Sequence, residues 1–245
     1  MKKPTQSKRF LTIALALLLA VSAGCASFDK MRSFLDPGSN KPDTSESLSQ
    51  QGLDHFNHGK YEKALEVFKK LKERYPFSQY SLLAELKIAD SEYYLKNYEE
   101  ARLLYREFEE QHPSNEAVPY VMFQVGMCYY KEIDTIDRDS SGASNAIQAF
   151  SRQLKSFPVS PYTDEAQGRI MAAKNFLAGH EFYVATFYVK TKSYIEAMAR
   201  LEYILATYPN SDVAPLANSL LTDLKAGNPP KRTISSWLPT FSMPF

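Results

Sequence analysis

Apolar residues recur along the chain at helical spacing, and one frame carries the pattern most plainly: residues 52–76, GLDHFNHGKYEKALEVFKKLKERYP. Counting from Gly52, Tyr61 stands nine residues on, Ala64 twelve, Phe68 sixteen and Pro76 twenty-four. Ala64 and Phe68 share one helix face, because residues four apart lie one above the other. Proline ends the second helix, since it lacks the amide and biases the preceding residue away from helical geometry. The frame therefore predicts a helix, a short turn, a second helix and a stop, with Gly52 where the two helices approach closely. Its closing half returns three times, at His112-Pro113, Phe157-Pro158 and Tyr208-Pro209 after Tyr75-Pro76. Twelve residues before each proline stands Ala64, Ala101, Ala146 or Ala197, and eight before stands Phe68, Tyr105, Phe150 or Leu201. Fifteen before stands Tyr61, Tyr98, Ala143 or Tyr194.

Successive prolines lie 37, 45 and 51 residues apart. This self-similarity resembles tetratricopeptide repeats, whose minimal unit is about 34 residues, with helices or loops lengthened. The expected fold is all-α: a tetratricopeptide-repeat solenoid of about four helix pairs plus a closing helix. The expected helices are 47–58 and 61–75, 78–95 and 98–111, 116–131 and 145–157, 160–190 and 194–208, and last 212–225. The repeat domain spans 47–226, and its final helix is expected to be polar on its outer side. Two stretches depart from plain repetition. Residues 133–144, IDTIDRDSSGAS, replace a short turn with a solvated loop, whose Asp134, Asp137 and Asp139 lack the ligand alternation of an EF-hand. Segment 160–190 is long for one repeat helix and carries Gly168 and Gly179, where it can bend.

The start and end of the chain read differently. Lys2, Lys3, Lys8 and Arg9 precede an apolar run from Phe10 to Val21, too short to span a bilayer but suited to a secretory signal. Ser22-Ala23-Gly24-Cys25 resembles a lipobox that departs from the usual pattern in carrying Ser22 where leucine is common. That resemblance implies a signal peptide over 1–24, lipid on Cys25, and, with Ala26 following, sorting to the outer membrane. Residues 25–46 read as a lipidated flexible tether. Removing the leader lowers the 29 basic residues to 25 against 28 acidic ones, a mature charge of −3. No basic footprint for nucleic acid is present. The stretch 227–245 is rich in proline and aromatics, and reads either as disordered or as docked on the domain or a partner.

Catalytic patterns are missing. Neither a Gly-rich phosphate loop nor a GxSxG or HExxH motif occurs. His55 and His58 lack a third ligand nearby, so no metal or other cofactor is expected. Cys128, in an apolar helical stretch, reads as a small buried hydrophobe. The chain is thus expected to bind rather than catalyse. Sixteen Tyr and fifteen Phe against one Trp direct attention to aromatics outside the frame: Phe77, Tyr80, Tyr120 and Phe123. Helix starts of successive pairs lie side by side in such a solenoid, so these four are expected to form a pocket for an extended peptide.

At these residues the chain resembles the BamD family, tetratricopeptide lipoproteins of the outer-membrane β-barrel assembly machinery. Arg74-Tyr75-Pro76-Phe77 with Tyr80-Ser81, Tyr120-Val121-Met122-Phe123 with Gly126, Asp137-Arg138-Asp139, His180-Glu181-Phe182 and Tyr208-Pro209-Asn210-Ser211 carry the likeness. It implies a lipid-anchored periplasmic scaffold of the outer membrane. Its N-terminal repeats would receive the C-terminal signal of unfolded outer-membrane barrel proteins. Its C-terminal repeats would contact the POTRA domains of a BamA-like barrel subunit, with other assembly lipoproteins as further partners. Arg200 sits nine residues before Pro209, where earlier repeats place Val67, Leu104 and Ala149. Two readings stay open for it: a surface pair with Glu196, or, as the resemblance implies, an interface charge facing an acidic POTRA group. A periplasmic scaffold of cell-envelope or division machinery and a helical cell-wall enzyme are the competing functions.

Overall fold

A computed structural model describes residues 43–136 and 138–230. Two units divide between Ser47 and Leu48. The first helix among the described residues is α1 (Ser45–Asn57). After it come α2 (Tyr61–Arg74), α3 (Ser81–Tyr94), α4 (Tyr98–Gln111), α5 (Val118–Lys131), α6 (Ser141–Ser156), α7 (Thr163–Lys190), α8 (Tyr194–Thr207) and α9 (Ala214–Lys225). Among the described residues there is no strand. From α2 onward each helix packs on the next, and α5 also touches α7. This is the all-α repeat architecture expected from the frame.

The frame residues are the core. Ala64, Ala101, Ala146 and Ala197 have no exposed surface, nor do Phe68, Tyr105, Phe150 and Leu201. Each even-numbered helix buries a stripe at the spacing of one face, such as Ala64, Phe68 and Leu71 in α2 or Ala197, Leu201 and Ile204 in α8. Full burial of one such large side chain contributes roughly 1.5–3 kcal/mol. Gly52 lets Phe68 in: a Cβ built there would stand 2.7 Å from the ring. Gly126 does the same for Phe150, at 2.5 Å.

Turns between pairs share one construction. Ser78, Asn115, Ser160 and Ser211 each lie two residues past the proline, and each carbonyl accepts the N–H three residues on, at 3.0–3.2 Å. These turns occupy residues assigned to helices on sequence, so α3, α5, α7 and α9 start two or three residues later than expected. Turns within pairs share another. Gly59, Lys96 and Lys192 sit at φ of 70°, 66° and 62°, the left-handed position that ends a helix in a Schellman motif. All three lie seventeen residues before their proline.

Two corrections concern the α5–α6 insertion. The α5–α6 insertion ends at Ser140, because Asp139 accepts the Ser141 N–H at 3.0 Å and starts α6 four residues earlier than expected. Nor is the insertion merely solvated: Ile133 and Ile136 pack on the core, and His180 Nδ1 lies 2.6 Å from the Ile136 carbonyl oxygen. Segment 163–190 is one unbroken helix, long because it serves two cores. Its Ala166, Ala173 and Phe176 join α5 and α6, while Ala178, Phe182, Ala185 and Val189 join α8 and α9. Helix α9 closes the stack with Ala217, Leu220 and Leu224 inward and Asn218, Ser219 and Thr222 outward.

Candidate partner-binding surfaces

The odd-numbered helices meet along one face through polar and aromatic contacts. On α3, residues 87, 90 and 94 follow helical spacing and point across to the neighbouring pairs. The Lys87 ammonium lies 4.3 Å from the centre of the Phe56 ring on α1 and donates to Asp90 Oδ2 at 2.8 Å. Asp90 is 2% exposed, and its other oxygen accepts the hydroxyls of Tyr105 at 2.7 Å and Tyr120 at 2.6 Å. Gln124 in turn donates to the Tyr120 hydroxyl at 2.9 Å. Burial first, and the neighbouring Asp90 second, push both tyrosine hydroxyls well above their usual acidity range. They stay protonated donors, as a carboxylate acceptor requires.

An aromatic layer continues from this network. The Tyr120 ring lies 5.8 Å from that of Tyr162, and Phe123 stacks on Tyr162 at 5.2 Å with planes 22° apart. On the other side Tyr61 stacks on Tyr94 at 4.6 Å, with Phe56 edge-on to both. Tyr94 is half-exposed, while Phe56 and Tyr61 are partly so.

The four aromatics named on sequence fall in different surroundings. Tyr120 is half-buried in the network above, and Phe123 is 6% exposed and packed on Phe150. Tyr80 precedes α3 and leans on the core of the first two pairs. Phe77, in the turn after Pro76, is 99% exposed. Sequence reasoning missed Tyr162, Asp90, Lys87 and Phe56. Tyr162 had a readable signal, since it stands four residues past its proline, as Tyr80 does.

A second surface belongs to the even-numbered helices. Between α4 and α6 lies a groove of about 610 Å³, floored by Val118, Met122 and Val125 of α5. Arg152 of α6 reaches across to Glu109 of α4. In the preceding repeat the matching space is only about 20 Å³ and is lined by Leu104, whose register is held by Ala149 in the wider groove.

Arg200 pairs with Glu181 of α7 at 2.9 Å, not with Glu196 on its own helix. Helix α7 lies alongside α8 and offers the nearer carboxylate. The Arg200 side chain keeps 45% of its surface exposed, against 17% for Glu181. Tyr203 and Tyr208 pack edge to face beside them at 6.0 Å. Burial is the first cause that lifts the Tyr208 hydroxyl to about 12. Cys128 is buried among α3–α5 side chains, and burial pushes its thiol up to about 12. His58 Nδ1 lies 2.7 Å from the Asp54 carbonyl oxygen. Among the described residues no cluster of three metal-ligating side chains occurs, and no helix is long and apolar enough to cross a membrane. Cys25 lies outside the described residues.

Comparison with known proteins places this arrangement. Residues 41–225 match the family described as YfiO, outer membrane lipoprotein. A Neisseria meningitidis protein named outer membrane protein assembly factor BamD is 27% identical over 214 residues, covering 83% of this chain and 78% of its own. A Vibrio cholerae protein of the same name is 27% identical over 218 residues, covering 84% and 86%. One from Caulobacter vibrioides is 24% identical over 212 residues, covering 86% and 68%. With the match running from just before α1 to the end of α9, the chain belongs to the YfiO family of outer membrane lipoproteins.

Proposed function

We propose that this protein is an outer membrane protein assembly factor. Lipid on Cys25 anchors it, and its repeats hold unfolded β-barrel precursors at one end and the POTRA domains of the barrel assembly subunit at the other. The observation that carries the reading is the likeness, across more than four-fifths of the chain, to proteins named as such factors. Two surfaces support the division of labour. The aromatic face around Tyr120 and Tyr162 suits extended peptide, whose apolar side chains stack on rings for roughly 0.5–1.5 kcal/mol each beyond burial. The half-exposed Arg200, held in place by Glu181, suits an acidic group on a folded partner.

The test is native purification of the lipidated protein from its own membranes. The barrel subunit should co-purify with the wild type, and Arg200→Glu should lose it without a large fall in thermal stability. Loss of an interfacial charge pair costs roughly 2–5 kcal/mol, enough to abolish capture. Cys25→Ser should move the protein out of the detergent phase. Wild-type protein that brings down no barrel subunit defeats the reading, and an unmodified Cys25 thiol in the mature protein defeats the anchor.

A further inference from the structure

The groove between α4 and α6 opens a surface that the preceding repeat keeps closed. There Leu104 reduces the space between even-numbered helices to about 20 Å³, whereas Ala149 at the same register leaves about 610 Å³. The chain forgoes packing that a leucine would supply, and nothing inside the pair offsets the loss. The opening runs from Tyr129 and Asn145 at one end to Pro113 and Phe157 at the other. Its α6 wall, from Asn145 to Ser156, rises about 16 Å, the length of roughly eleven helical residues.

The α4 wall is charged. Arg106 and Glu110 both line the groove, one turn apart, and both are exposed. Arg106 donates to the Tyr129 hydroxyl at 3.0 Å, a neutral acceptor that leaves most of its five N–H groups unused. Among the described residues Arg106 has no carboxylate partner and Glu110 has no cation. Nor do they pair with each other, since a cation N-terminal to an acid is the weaker order along a helix. Glu109, the intervening acid, is taken by Arg152 across the groove. That pair is half-exposed on its arginine side, so an incoming group displaces it at little cost. Beneath lie Val118, Met122 and Val125, which offer no polar group. Floor and walls are helices whose backbone hydrogen bonds are internal, so an extended chain laid here finds no backbone partner. A helix brings its own.

We propose that this groove docks an amphipathic helix of a partner protein, with a carboxylate and a cation one turn apart on the helix flank facing Arg106 and Glu110. Its apolar ridge, at i, i+4 and i+7, lies over Val118, Met122 and Val125. The carboxylate takes the free N–H groups of Arg106, whose guanidinium the Tyr129 hydroxyl already holds in place. The cation takes Glu110. The missing side-chain bulk at Ala149 is what admits the ridge between the two walls. This surface belongs to the even-numbered helices, and the proposal does not depend on the assembly role or on the aromatic face of the odd-numbered ones.

The experiment uses the full-length protein in detergent and a stapled, fluorescein-labelled helix of about fourteen residues, slightly longer than the groove. Leucines stand at i, i+4 and i+7, with glutamate and lysine one turn apart on one flank. A second probe reverses the order of the two charges, a third carries glutamine at both places, and a fourth is unstapled with a central proline. One of the two charged orders should bind at least about tenfold more tightly than the glutamine probe, and which one it is gives the direction of the helix. Arg106→Glu should remove that preference, and a probe with lysine in place of its glutamate should restore it on this variant. Ala149→Leu should weaken the favoured probe by at least about tenfold while the protein melts no lower than wild type. Failure of every probe to bind, equal affinity for the three stapled probes, or undiminished binding by a folded Ala149→Leu overturns the proposal. A proline probe that matches the stapled ones overturns it in favour of an extended occupant. A dimer in sedimentation that Ala149→Leu abolishes overturns it in favour of a second copy of the chain. Should Ala149→Leu lose its helical signal, the charge exchange at Arg106 decides.

Discussion

Alanine at position 126 would put a methyl group into the ring of Phe150. The added Cβ would stand 2.5 Å from two ring carbons and 2.9 Å from a third, where carbon contacts settle at about 3.5–4.0 Å. The ring would therefore have to retreat by about 1 Å. It has little room, since Phe150 has no exposed surface and lies 5.5 Å from Phe123, which is itself stacked on Tyr162. Overpacking of this kind costs about 1–3 kcal/mol, partly offset by the helix preference of alanine over glycine, about 1 kcal/mol. A net loss of up to about 2 kcal/mol should lower the melting temperature by up to roughly 8 °C for a chain of this size. Gly168 supplies the control: it lies inside α7 with nothing within 4 Å of an added Cβ, so alanine there brings only the helix preference. Urea titration of both variants, followed by far-UV circular dichroism, should move the midpoints in opposite directions. Combining Gly126→Ala with Phe150→Leu should recover part of the loss. If Gly126→Ala is as stable as Gly168→Ala, the close approach does not limit packing here and the reasoning fails.

Removing the Tyr105 hydroxyl takes one donor from buried Asp90, so Tyr105→Phe should cost roughly 1.5–3 kcal/mol. The double variant with Asp90→Asn should cost less than the sum of the two; strict additivity would show that the network is not coupled. Ala149→Leu should restore the Leu104 arrangement in the wide groove and raise the urea midpoint by the equivalent of about 1 kcal/mol, and a lowered midpoint would mean the groove walls cannot accept it. Cys128 keeps its proton in the folded state to about pH 12, whereas the unfolded thiol loses it near pH 9. Its contribution to stability is therefore complete below pH 9 and falls as pH rises towards 12, by up to about 1.4 kcal/mol per pH unit. Wild type should lose stability more steeply than Cys128→Ala across that window, and parallel curves would refute the assignment.

The repeat and its core were legible because they rest on residue size at fixed spacing. Alanine twelve before the proline and a large apolar group eight before it leave one way to pack a pair, and both sets are fully buried. Backbone features were legible only where glycine marked them. Gly59 is a residue type suited to the left-handed position, but Lys96 and Lys192 hold the same conformation in the same register, and lysine gives no sign of it. The polar network was half legible. Tyr105 replaces Phe68 and Phe150 in the frame, which puts a hydroxyl into a fully buried site and demands an acceptor. That the acceptor is Asp90 depends on how α3 packs between α4 and α5, and sequence spacing does not state it. The α5–α6 insertion misled because its aspartates dominate the composition, whereas Ile133 and Ile136 decide where it sits.

The register nine residues before the proline carries the last prediction. It lies beside the buried stripe and faces the preceding pair: Leu104 packs on both the first core and the second, and Ala149 on the second. Leucine fills the space between consecutive even helices and alanine leaves it open, so the register controls packing between pairs. Arg200 can do neither, and a charge here forgoes the apolar packing that Val67 and Leu104 make in their own repeats. Its pairing with Glu181 offsets little, because half-exposed ion pairs contribute about 0–1 kcal/mol. A local rule broken without local compensation points to a partner outside the chain. Arg200→Leu should accordingly leave stability within about 1 kcal/mol of wild type, because burial of the leucine side chain offsets the loss of a weak ion pair. The same variant should fail to capture the barrel subunit in native purification. Capture at wild-type levels, with unchanged melting, would mean that Arg200 serves only Glu181.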